Sequence, residues 1–128
     1  MRRPFAILLT VLVMGAGSAV RLDANNPVAS IEWDQTSIDF GEVSQNVPIT
    51  AEFRFTNPGM IPLLITEVKP SCGCTVADFP KQPIISGGEG IVKVTFDAKE
   101  EGYFAKTITV LSNTQGGTTN LYIKGVVK

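Results

Sequence analysis

Histidine is absent from all 128 residues, and with it go the commonest general base, the commonest metal ligand and the usual switch at physiological pH. Few enzyme mechanisms survive that loss, so the chain is expected not to be an enzyme and no catalytic residue is assigned. Cysteine is scarce as well, with Cys72 and Cys74 the only two. The core of the fold therefore has to hold by apolar burial, without a framework of cross-links. There is a single tryptophan, Trp33, and no excess of positive charge, with eleven basic residues against twelve acidic ones. Nor is there an apolar run of the ~18 to 20 residues that a membrane-spanning helix needs.

The longest apolar run, Phe5 to Met14, follows Arg2 and Arg3 and leads into Gly15, Ala16, Gly17, Ser18 and Ala19. A charged start, a short apolar stretch and small residues at its end are the three parts of a secretory signal peptide. Residues 1–19 are read as that peptide, with cleavage after Ala19. No cysteine lies nearby to take a lipid anchor. Removing Arg2 and Arg3 with the leader leaves nine basic residues against twelve acidic ones, a net charge of −3. That balance gives phosphate backbones and anionic membranes little to hold, so no nucleic-acid partner and no membrane span after cleavage are expected. The mature protein is placed in the periplasm or the extracellular space.

Residues 20–30, with Asn25-Asn26-Pro27, lack periodicity and are read as a flexible entry to one domain over 31–128. From there six- to ten-residue runs rich in Val, Ile, Thr and Phe alternate with turns marked by Gly, Pro or Asn. In residues 49–56, Ile49, Ala51, Phe53 and Phe55 alternate with Thr50, Glu52, Arg54 and Thr56, the period of a half-buried strand. Residues 91–97 repeat the pattern. Further strands are expected over Ser37–Val43, Ile61–Lys69, Tyr103–Leu111 and Thr118–Val127, with shorter runs near Ile31, Val76 and Ile84. Leu63 and Ile65 are odd while Val68 is even, so a β-bulge is expected near Thr66 and Glu67. In the strand from Tyr103, the parity of Phe104 and Ile108 would also carry Lys106 inward, by a snorkelling stem or a bulge. Lys99-Glu100-Glu101-Gly102 reads as a hairpin turn. These spacings predict an all-β fold, an immunoglobulin-like antiparallel sandwich of about seven strands. Phe40, Phe53, Phe55, Phe96 and Phe104 supply the bulk of its core.

Nearly all the chemistry lies in Ser71-Cys72-Gly73-Cys74-Thr75. Fully extended, the two cysteine Cα atoms would be ~6.6 Å apart on one face, the far edge of what a disulfide tolerates, and Gly73 lets the backbone tighten. Closing a three-residue loop stabilises a fold by only about 1.6 kcal/mol in the loop model, before strain is subtracted. The pair is therefore open to three readings: an inert local bridge, a redox pair cycling between dithiol and disulfide, or a soft-metal site for Cu(I) or another thiophilic ion. Met60, the only methionine left after cleavage, is expected at the other end of the sandwich, out of reach as a third ligand. Ser71, Gly73 and Thr75 support the motif.

Phe53-Arg54-Phe55-Thr56-Asn57-Pro58-Gly59, Pro62-Leu63, Ser71-Cys72-Gly73-Cys74-Thr75, Val94-Thr95-Phe96-Asp97, Lys106-Thr107-Ile108 and Ile123-Lys124-Gly125-Val126 together resemble the bacterial family DUF1573. The resemblance spans nearly all of the mature chain. It implies an exported protein with an immunoglobulin-like fold, similar to domains of major sperm protein and of cilium-associated proteins, which act mostly as interaction modules. It departs from the family pattern at Phe79, where tryptophan is frequent, and at Ser86, where proline is. The expected function is a non-enzymatic binding or structural module of the cell envelope. Its partner is an unidentified envelope protein or polymer, and its oligomeric state is undetermined; a thiol redox or Cu(I)-binding role for Cys72 and Cys74 is the alternative.

Overall fold

The computed structural model describes residues 28–128, so the signal peptide read over 1–19 and most of the entry segment lie outside the described residues. Eight strands follow: β1 (Glu32–Trp33), β2 (Ser37–Val43), β3 (Ile49–Thr56), β4 (Ile65–Pro70), β5 (Thr75–Asp78), β6 (Glu89–Phe96), β7 (Gly102–Ser112) and β8 (Thr118–Val127). They form two four-stranded sheets, ordered β1-β3-β6-β5 and β2-β8-β7-β4. The all-β sandwich is as the alternation predicts, with two small strands bringing the count to eight. The run near Ile84 makes only an isolated bridge, to Leu63.

The centre of the first sheet is the antiparallel pair β3 and β6, in unbroken register from Ile49↔Phe96 to Thr56↔Glu89. Their inward residues Phe53, Phe55, Val92 and Val94 are fully buried. On the solvent face the Thr50 and Thr95 hydroxyls lie 3.1 Å apart and Lys93 Nζ is 4.0 Å from Glu52 Oε1, pairs worth a few tenths of a kcal/mol each. Ile65, Phe104, Ile108, Val110, Leu121 and Ile123 of the second sheet complete the core. Trp33 packs on Phe55 with ring centroids 5.1 Å apart. Phe40 joins as a partly buried residue.

The expected bulge in β4 is present, as the register with β7 shifts between Ile65 and Glu67. β7 pairs with β8 without interruption, so Lys106 is not displaced by a bulge and stands half-buried in the inward parity. Two readings need correction. The sandwich is not wholly antiparallel, since β2 runs parallel to β8. These two are joined through most of the domain, which supplies the long connection that a parallel pair needs. Lys99–Gly102 does not close a hairpin, because β6 and β7 belong to different sheets. It is part of a crossing in which Ala98, buried, takes φ 54°, a conformation uncommon outside Gly, Asn and Asp. Ala29, next to the start of the domain, is buried and its N–H donates to Asn113 O at 3.1 Å.

The chain also crosses between sheets from β3 to β4 and from β4 to β5. β4 and β5 are edge strands, so the β4–β5 crossing at Ser71–Cys74 joins the edges of the two sheets. It shares its end of the sandwich with Asp97–Glu101, since Thr75 pairs with Phe96.

Candidate functional site

Pro70 closes the paired part of β4 opposite Ile108. Ser71 extends the ladder by one step: its N–H donates to Thr107 O at 2.9 Å, and its hydroxyl accepts the Thr107 N–H at 3.1 Å. The backbone then folds back, with Thr75 N–H 3.4 Å from Cys72 O, while the Asp97 N–H donates to Cys74 O at 3.1 Å. This places Cys72 and Cys74 with Cα atoms 5.3 Å apart, joined by a disulfide. That separation is close to the commonest for such bonds. The tightening does not depend on glycine. Gly73 has no φ in the left-handed region, and a Cβ built on it meets nothing within 4 Å.

Both cysteines are half-buried and Gly73 is exposed. Thr75 is buried, and its hydroxyl lies 3.5 Å from Cys72 Sγ and 3.8 Å from Cys74 Sγ. A disulfide sulfur carries no hydrogen, so the hydroxyl is the donor in either contact. Cys74, with Phe96, Asp97, Phe104 and Lys106, lines a cleft of about 200 Å³ between the two crossings; Cys72 does not. Phe96 and Phe104, whose rings stack 4.3 Å apart, are among its lining residues. The motif residues named from the sequence thus come together, but the sequence did not reveal their neighbours. Lys106 could have been suspected from its inward parity.

Bonded to each other, the sulfurs present no thiolate to a metal, so a Cu(I) site would require prior reduction. Among the described residues no group of three His, Cys, Asp or Glu side chains is placed to hold an ion. Met60 is 93 % exposed, and the length of β4 separates it from Cys72. Val76, just beyond the disulfide on the edge strand β5, is 68 % exposed.

The opposite end is held differently. Asn57 is fully buried. Its Nδ2 donates to Ile61 O at 2.8 Å and to Ile84 O at 3.0 Å, and its Oδ1 accepts the Gly59 N–H at 3.0 Å. In the sequence Asn57 stands out only as part of the stretch Phe53–Gly59. Lys81 Nζ sits 3.1 Å from the centre of the Phe79 ring, and the Ser86 hydroxyl donates to Gly59 O at 2.6 Å.

Comparison with known proteins supports the fold. No curated protein matches the sequence. A crystal structure of a protein of unknown function from Porphyromonas gingivalis W83 superposes with a TM-score of 0.67 at 19% identity, covering 77% of this chain and 46% of that one. This chain therefore spans about half the length of that protein. The PapD-like domain 7 of human CEP192 gives a TM-score of 0.63 at 14% identity over 81% of this chain and 89% of that one. The VesB protease of Vibrio cholerae gives 0.59 at 15% identity, covering 79% of this chain and 32% of the protease. At these identities the likeness is one of fold. The family model for proteins of unknown function designated DUF1573 matches residues 31–127, nearly the whole of the described sandwich, and the chain belongs to that family.

Proposed function

We propose that this protein is an exported, non-enzymatic binding module of the bacterial cell envelope, periplasmic or secreted, which holds a partner protein or polymer at the Cys72–Cys74 corner. The observation that carries the reading is that both cysteines sit in the crossing between two edge strands, where the fold gains little from them. A bond closing three residues adds little chain entropy, and the fold places no demand on Gly73. Edge strands with unpaired backbone groups are the places where a sandwich accepts another chain. The apolar Val76 lies on one of them. Export is supported by the signal-peptide pattern of residues 1–19 and by the disulfide itself, since such bonds persist in oxidising compartments.

The test places a photo-crosslinking residue at position 76, and separately at position 60 at the far end, in cells expressing the full chain. A defined adduct from position 76 and none from position 60 is the expected result. Equal labelling from both positions, or fractionation that finds the protein in the cytoplasm, refutes the proposal.

A further inference from the structure

Resting on that reading of the corner as the working surface, we infer that it is also a thiol–disulfide exchange site of fixed polarity. Cys74 is the sulfur attacked, and Cys72 is the sulfur that leaves.

Two independent observations give the two sulfurs different roles. Only Cys74 lines the cleft, and it packs against the core on its other side. A thiolate attacking a disulfide has to reach one sulfur from the side opposite the other, so the open approach decides which is attacked. The second observation is the Thr75 hydroxyl, which lies 3.5 Å from Cys72 Sγ and 3.8 Å from Cys74 Sγ. It has one hydrogen to give. As the bond breaks, negative charge develops on the departing sulfur, and a buried hydroxyl lying nearer to Cys72 than to Cys74 favours Cys72 as the thiolate.

The incoming thiolate forms a bond to Cys74 Sγ, the S–S bond breaks, and its electron pair passes to Cys72 Sγ, which accepts the Thr75 hydrogen bond. If the partner carries a second thiol, its thiolate attacks the partner's own sulfur in the mixed disulfide and releases Cys74. The partner is oxidised from dithiol to disulfide, and this protein is reduced by two electrons. The two protons of the partner's thiols end on Cys72 and Cys74. One equivalent of partner is oxidised per chain, and no further reagent is needed for that turnover.

The lining also selects among thiols. Asp97, Glu100 and Glu101 outnumber Lys99 and Lys106 around the cleft. A small thiol with its own carboxylates is repelled, and a neutral or basic cysteine peptide is admitted. Tyr103, which lines the cleft and is exposed, offers a ring to the apolar side chains that flank a peptide cysteine.

The test uses the oxidised protein with excess cysteamine, a cationic monothiol, or thioglycolate, an anionic one. The reaction is quenched in acid, free thiols are alkylated, and the adducts are located by tandem mass spectrometry. The expected product carries the added thiol on Cys74 and the alkyl group on Cys72. Cysteamine should outpace thioglycolate by more than it does on a small uncharged disulfide. Thr75→Val should slow exchange about tenfold and erode the preference for Cys74, with Thr75→Ser restoring both. Adducts on Cys72, or equally on both sulfurs, overturn the inference, as does an unchanged rate in Thr75→Val. If Thr75→Val fails to fold, the adduct position in the wild type and in Thr75→Ser still decides. Crosslinking from position 76 without any exchange would sink this inference and leave the binding module standing.

Discussion

Two of the passages that carry the chain from one sheet to the other, the one after β3 and the one after β4, are fastened by opposite chemistry. After β3 the fastening is Asn57, buried and bonded to Gly59, Ile61 and Ile84. After β4 it is a covalent bond between two half-buried cysteines, with an exposed glycine between them. The non-covalent fastening is the stronger one for the fold. Losing Asn57 would strand buried polar groups, each costing about 1 to 3 kcal/mol, whereas the disulfide constrains only three residues of the unfolded chain. A covalent bond that contributes little to stability is free to be opened, and a buried amide network is not.

Substitutions that break this contrast should fall on a graded scale. Phe53→Ala sets its top, because Phe53 is fully buried at the centre of the first sheet and truncation there costs about 4 kcal/mol. Asn57→Ala should come next. Ile84 O keeps the Leu63 N–H, so the loss falls on Ile61 O, Gly59 N and the vacated space. A cost of about 3 kcal/mol is expected, read as a melting point lower by about 15 °C. Should Asn57→Ala melt within a few degrees of the wild type, the contrast between the crossings has no basis in stability.

How much of this was legible in the sequence follows the range of the signal. Strict alternation in residues 49–56 and 91–97 identified β3 and β6, because period two is a property of neighbouring residues. The parity slip between Ile65 and Val68 announced the bulge for the same reason. The partners of whole strands left no local mark. Turn residues at Lys99–Gly102 show that the chain turns there, not which sheet the next strand joins, and so a crossing read as a hairpin. The parallel pairing of β2 with β8 joins the second strand to the last, and no neighbouring residues encode it. At the candidate site, the spacing of Cys72 and Cys74 made a bond feasible. The difference between the two sulfurs depends on a cleft whose other walls come from Phe96 to Lys106, beyond the reach of a motif.

Replacing both cysteines by serine belongs lower on the scale, at about 1 to 2 kcal/mol or a melting point lower by about 5 to 10 °C. Reductant alone should move the wild type by a similar amount and leave the double mutant unmoved. Agreement between the two would show that the loss comes from the bond and not from serine packing poorly where Cys74 meets the core. A double mutant that fails to fold while Phe53→Ala survives would assign the cysteines to the core and remove the motive for a working corner.

The smallest effect on stability is expected at Gly73, and it separates folding from function most sharply. Elsewhere in this sandwich glycine is required by packing: a Cβ at Gly90 would lie 2.4 Å from Phe55 Cζ, and one at Gly125 would lie 2.7 Å from Gly41 O. At Gly73 the same Cβ meets nothing within 4 Å, and no left-handed φ forbids it. Gly73→Ala should therefore stay within about 0.5 kcal/mol of the wild type, the range of an ordinary surface substitution. It should keep the disulfide, since the backbone already holds the two Cα atoms 5.3 Å apart without glycine's special conformations. Yet Gly73 stands exposed between the two half-buried cysteines, where a partner must come close to the backbone, and glycine serves close approach. A methyl there, and more so the branched side chain of Gly73→Val, should weaken crosslinking from position 76 while the melting point holds. If both variants melt and crosslink like the wild type, the partner does not contact the disulfide turn, and the binding surface has to be sought elsewhere on the sandwich.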